Sequence, residues 1–109
     1  MFAKRDIEKK IRDLYTLISR QIKIDGIYLF GSYAKGNPNK DSDIDIAVLS
    51  KEFEGIRFID GSKISRIIID ETYPDLQFVD FEIHPYKTEE FTEDNPFVAE
   101  ILKTGVRII

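Results

Sequence analysis

A chain of 109 residues, 42% hydrophobic and 33% charged, has the composition of one ordinary globular domain spanning residues 1–109, which excludes a disordered polymer. It contains no cysteine, so disulfides and thiolate zinc centres are excluded as well. A formal net charge of −4 argues against a surface that grips extended nucleic acid through its phosphates. The sequence has no apolar run long enough for a signal peptide or a membrane span, so the expected location is the cytoplasm, away from any membrane.

Taken in chain order, Ile7, Ile11, Leu14 and Ile18 recur at spacings of four and three, which predicts an amphipathic helix over 4–21. The short apolar run 26–30 stops at Gly31 and reads as a buried strand. Residues 32–35 can form a single helical turn, and 36–42 are loop by every local signal. Residues 43–49 read as a second strand. Its period of two sets Asp43, Asp45, Ala47 and Leu49 on one face and Ile44, Ile46 and Val48 on the other.

Residues 51–59 read as irregular. Ser62 can cap a helix over about 63–72, which Tyr73-Pro74 would end. A third strand is expected over 76–83, with Asp80 and Glu82 on one face and Pro85 closing it. His84 then falls in a turn with a structural role, and Glu89 and Glu90 sit at a solvated helix start. Asn95-Pro96 opens a last helix to about Lys103, Gly105 stops it, and 106–109 read as a terminal strand. The alternation predicts a small mixed β-sheet with helices packed on it, an α/β (α+β) class.

The chemistry is concentrated between Gly31 and Asp45. A glycine ending a buried strand lets a phosphate approach the backbone. The amides from Ser32 onward would point at that phosphate. The Ser32 hydroxyl adds a donor and Lys35 a cation. Asp43 and Asp45, on one face of the next strand, repel each other unless a cation lies between them. Mg²⁺, which takes one or two carboxylates plus phosphate oxygens, fits that need, with Mn²⁺ as the alternative. A phosphate cradle beside such a pair is the minimum apparatus for phosphoryl or nucleotidyl transfer. A third acid, Asp80 or Glu82, would complete the site or draw the proton from the attacking hydroxyl. The spacing from Gly31 to Gly36 also fits a P-loop, but Asn37-Pro38 stands where Lys-Ser/Thr is required, which excludes it.

Gly31-Ser32-Tyr33-Ala34-Lys35-Gly36 followed by Ser42-Asp43-Ile44-Asp45-Ile46-Ala47-Val48 resembles the signature of the minimal nucleotidyltransferases, small prokaryotic relatives of the DNA polymerase β superfamily. The segment from Ile83 to Phe91 and the stretch Asn95-Pro96-Phe97 to Gly105 are similar to small members too. The resemblance implies the palm-like fold of that superfamily and ATP or another nucleoside triphosphate as substrate. It further implies that Gly31, Ser32, Lys35 and Gly36 form the triphosphate-binding loop, and that Asp43 and Asp45 are the metal-binding acids. Lys35 stands where the family often has arginine, so it would act as a point charge without the bidentate fork. For the third carboxylate, Val79-Asp80-Phe81 fits the local pattern, while counting back from Tyr86 and Phe91 favours Glu82. Asp80 ranks slightly ahead.

The expected activity is therefore transfer of a nucleoside monophosphate, AMP from ATP, to a hydroxyl of a protein or RNA acceptor with release of pyrophosphate. The rival expectation is an antitoxin-like module that binds a partner with little catalysis. The two meet in one expectation about partners: a separate protein, a helical toxin-like chain, beside a domain too small to enclose an acceptor.

Overall fold

The computed structural model describes residues 4–39, 42–70 and 81–109. Helix α1 (Lys4–Ile18) is followed by strand β1 (Gly26–Phe30), the single-turn helix α2 (Ser32–Lys35) and strand β2 (Ile44–Ser50). Helix α3 (Arg57–Asp70), strand β3 (Phe81–Lys87), a 3₁₀ turn (Thr88–Glu90), helix α4 (Pro96–Thr104) and strand β4 (Val106–Arg107) complete the order. The strands form one mixed sheet in the order β3-β2-β1-β4. β1 is antiparallel to both β2 and β4, whereas β2 and β3 run parallel.

Helix α1 forms where its apolar spacing dictates, and Ile7, Ile11, Leu14, Leu17 and Ile18 are its buried residues. They meet Ile27 and Leu29 of β1, Ile44, Ile46 and Val48 of β2, and Ile64 and Ile67 of α3 in the larger core. Each such side chain contributes about 1.5–3 kcal/mol by leaving water. The opposite face of β2 is covered too, since Ala47 and Leu49 pack with Phe91, Val98 and Ile101. Asp45 shares that second face. It lies near the start of the strand and remains partly open. Among the described residues no helix is long and apolar enough to cross a membrane.

Helix α1 ends at Ile18 rather than at 21 and the terminal strand at Arg107 rather than at 109; two further boundaries move by more. Helix α3 begins at Arg57, six residues before position 63, so part of the stretch expected to be irregular is helical. Ser62 does not cap it: it lies within the helix and its hydroxyl donates to the Phe58 carbonyl at 2.7 Å. The reason is Asp60, fully buried, whose carboxylate accepts from the Glu54 and Gly55 amides, each at 2.9 Å. Those bonds fold the preceding loop onto the first turn of the helix. The expected end at Tyr73-Pro74 lies outside the described residues.

The second difference is β3. It continues through Pro85 to Lys87, with Val48 opposite Pro85 and Ser50 opposite Lys87. An edge strand tolerates proline because only one side of its backbone needs partners, and β3 is an edge strand among the described residues. His84 is accordingly not in a turn but in the strand, opposite Ala47. The earlier part of the expected strand, 76–80, lies outside the described residues. At the other end, Asn95 caps α4, accepting from the Phe97 amide at 2.9 Å, as the Asn-Pro pair predicts.

Candidate functional site

Phe30, the last residue of β1, is in register with Asp45, and Asp45 is in register with Glu82. The C-terminal end of β1 and the N-terminal ends of β2 and β3 therefore lie side by side. Gly31 follows immediately, with φ 75° and ψ −153°, a conformation open to glycine and strained for other residues. Space imposes the same choice: a Cβ on Gly31 would run into the Asp45 carboxylate. The turn that opens α2 and the acid of β2 are thus in direct contact.

Helix α2 is closed by the Lys35 amide donating to the Gly31 carbonyl at 3.1 Å. Gly36 ends it in the left-handed region with φ 77°. The amides of Ser32, Tyr33 and Ala34 precede the first bond of this turn and have no acceptor within it. Lys35 is exposed at its end. In the loop that follows, the Asn39 amide donates to the Ser42 hydroxyl at 2.9 Å, and the Ser42 amide donates to the Asn39 carbonyl at 3.1 Å. That clasp sets the chain's entry to Asp43, which is exposed and lies one residue before β2.

The acids are unequal. Asp45 has a side chain 23% accessible and a carboxyl pushed up to about 6 by burial first, then by the neighbouring Glu82 and Asp43 carboxylates. Two acids facing each other across a parallel pair, with a third nearby, disfavour full ionisation. Asp43 adds to this field but lies outside the tightest cluster. That cluster consists of Asp45, Glu82 and His84, whose ligand atoms lie within 4.8 Å of one another.

His84 is the residue that sequence reasoning placed elsewhere. Its Nε2 lies 3.7 Å from Asp45 Oδ1 and 3.7 Å from Glu82 Oε1, and it is buried with no hydrogen-bond partner among the described residues. Burial, and then the Arg57 charge, hold the imidazole below its ordinary pKa against the opposing pull of Glu82. The ring packs edge-on to Phe30 at 4.9 Å and tilted to Phe97 at 6.0 Å. A period-two count from Glu82 would have placed His84 on the acid face, had Pro85 not suggested a strand end.

Of the residues expected at the site, Gly31, Ser32, Lys35 and Gly36 lie on the turn beside Asp45, and Glu82 lies across from it. Asp80 lies outside the described residues. A cleft of about 190 Å³ adjoins the cluster through His84 and is lined also by Arg57, Tyr86, Lys87 and Glu90. A larger cleft, about 540 Å³, runs between α3 and β3 past Phe81 and Ile83. It holds none of the expected site residues and opens on the other face of the strand.

The sequence pattern of the family described as "Polymerase beta, Nucleotidyltransferase" matches residues 12–109. A segment of 46 residues is 37% identical to the "Putative protein adenylyltransferase" of Methanocaldococcus jannaschii, spanning 42% of this chain and 44% of that relative. The match thus takes in under half the length of the relative. Among solved structures, the chain is similar to a "putative nucleotidyltransferase" from Sulfolobus solfataricus, with TM-score 0.66 and 21% identity over 94% of this chain and 79% of that one. It is also similar to a chain of a toxin–antitoxin structure with AMP-PNP, with TM-score 0.60 and 24% identity over 94% and 72%. A third likeness is to a structure of a tri-AMPylated Shewanella oneidensis HEPN toxin in complex with MNT antitoxin, with TM-score 0.53 and 21% identity over 98% and 72%. These structural likenesses establish a shared fold.

Proposed function

The chain belongs to the polymerase beta nucleotidyltransferase family, and from that premise we propose that this nucleotidyltransferase moves AMP from ATP onto a hydroxyl of a protein acceptor, releasing pyrophosphate. The observation that carries the reading is the contact between Gly31 and Asp45. It brings a turn suited to phosphate against an acid suited to a cation, so that a triphosphate held by one is presented to the other.

In this reading Gly31, Ser32, Lys35 and Gly36 hold the triphosphate through backbone amides, a hydroxyl and one positive charge. Asp43 and Asp45, with the third acid, are the residues that would hold Mg²⁺ or Mn²⁺. The donors fit: they are carboxylate oxygens, and the elevated Asp45 carboxyl marks a place where a positive charge relieves repulsion. A divalent ion there supplies charge neutralisation at the phosphates and polarises the α-phosphoryl group. Glu82, opposite Asp45, accepts the proton of the acceptor hydroxyl. The hydroxyl oxygen bonds to the α-phosphorus as the bond from that phosphorus to the bridging oxygen breaks, and pyrophosphate leaves. Glu82 takes the third role here because it stands beside Asp45; Asp80 remains the alternative two residues earlier.

A protein hydroxyl is favoured over an RNA end because the chain carries a net charge of −4, which works against holding a polyanion. Phe97, 50% exposed and beside His84, offers an apolar contact at the site for a covering chain. The similarity to a structure containing an AMPylated toxin supports a helical toxin-like partner as acceptor. The alternative, an antitoxin-like module that only binds, leaves the crowded acids without a purpose.

The test compares variants for ATP binding and for transfer of label from α-labelled ATP, in the complex purified with the native partner. Glu82→Gln should keep ATP binding and lose transfer. If Asp80→Asn does so instead, the third acid moves by two residues; if neither matters, the mechanism loses it. Undiminished transfer by the Asp43→Asn/Asp45→Asn double variant would end the reading.

A further inference from the structure

The buried Nε2 of His84 is aimed into the acid cluster, 3.7 Å from an oxygen of Asp45 and 3.7 Å from an oxygen of Glu82. The side chain is 9% accessible, and the nitrogen has no hydrogen-bond partner among the described residues. A separation of 3.7 Å is too long for a hydrogen bond, and a water bridging two polar atoms needs roughly 4.5 Å between them. Direct hydrogen bonding and a water bridge therefore both fit this gap poorly. A cation held about 2.1 Å from nitrogen and oxygen donors fits within it. An unpartnered buried nitrogen is costly, and ligation would satisfy it. The ring is positioned for this by its packing on Phe30 and Phe97, both on the same side of the sheet as the acids.

We propose that His84 Nε2 is itself a ligand of the cation site formed with Asp45 and Glu82, and that this imidazole makes the site prefer a transition-type divalent ion, such as Co²⁺ or Zn²⁺, over Mg²⁺. The inference rests on the reading of Asp45 and Glu82 as cation-binding acids and adds the selectivity. Mg²⁺ takes oxygen ligands and keeps its waters. Imidazole nitrogen suits the later first-row ions, whose affinity for mixed nitrogen and oxygen sites exceeds that of earlier ones. A site built of carboxylates alone would show this bias more weakly.

His84 is the only histidine in the sequence, which makes the test direct. In tag-free protein labelled with ¹⁵N, one imidazole gives the long-range proton–nitrogen signals. Zn²⁺ should move its Nε2 resonance strongly, while saturating Mg²⁺ should leave it near its metal-free position. By calorimetry, His84→Phe, which keeps an aromatic ring between Phe30 and Phe97, should weaken Co²⁺ binding at least about tenfold and leave Mg²⁺ binding in place. An Nε2 resonance indifferent to Zn²⁺ overturns the proposal. Equal weakening of Co²⁺ and Mg²⁺ in the variant also overturns it, because that is the mark of a purely structural role. Asp45→Asn is the parallel control: it should weaken both ions. If it weakens neither, the underlying reading of the acids fails as well, which separates that failure from failure of the His84 assignment alone.

Discussion

Neutralising Asp45 should stabilise the metal-free protein even as it removes function. The Asp45 carboxyl is pushed up to about 6 from an ordinary 3.8, with burial as the largest cause and Glu82 and Asp43 adding to it. The folded state therefore binds this proton more tightly than the unfolded chain. The associated stability is fully present below about pH 4 and is lost as pH rises through about 6. Taken at face value the difference corresponds to about 3 kcal/mol at neutral pH. The side chain retains 23% of its accessible surface, so water screens part of this, and about 1–2 kcal/mol is the expected loss. Asp45→Asn has no charge to lose. In EDTA at pH 7.5 the variant should melt roughly 5–10 °C above the wild type, and the gap should shrink towards zero near pH 4. A variant less stable than wild type at pH 7.5, or a gap unchanged between the two pH values, would refute the idea of strained carboxylates.

Three further outcomes follow from the same geometry. Gly31→Ala places a methyl group against the Asp45 carboxylate at a positive φ; it should cost about 1–3 kcal/mol in denaturant unfolding and abolish ATP binding. Ser32→Ala and Lys35→Ala should each weaken ATP binding by about 1–3 kcal/mol, measured calorimetrically, with unchanged melting temperatures. Asp60→Ala strips the Glu54 and Gly55 amides of their acceptor; it should destabilise the fold by about 3 kcal/mol without altering ATP affinity, because its bonds are to the loop before α3 and not to the Gly31 turn.

Much of the fold was legible because its signals are local. The run 26–30 and its terminal Gly31 appear as β1 and the turn into α2, with both boundaries as expected. The period of two in 43–49 correctly divided Asp45, Ala47 and Leu49 from Ile44, Ile46 and Val48. What the sequence concealed depends on partners distant in the chain or on context. The start of α3 is fixed by Asp60 binding amides five and six residues earlier, a bond that helical periodicity does not encode. Pro85 reads as a strand end only if the strand is central, and position at the sheet edge is a property of the whole topology. The place of His84 followed from that misreading. The contact of Gly31 with Asp45 is likewise tertiary, since it needs the register of β1 on β2.

In the proposed reaction the α-phosphoryl group of ATP, with its adenosine, becomes attached to a hydroxyl-bearing protein. The direct measurement incubates the purified chain, with and without its native partner, with ATP labelled either at the α- or at the γ-phosphate, and then separates protein from nucleotide under denaturing conditions. The expected result is covalent label on the partner from α-labelled ATP alone, with γ-label recovered as pyrophosphate and neither signal in Asp43→Asn/Asp45→Asn. Protein-bound label from γ-labelled ATP would mean phosphoryl rather than nucleotidyl transfer and would contradict it.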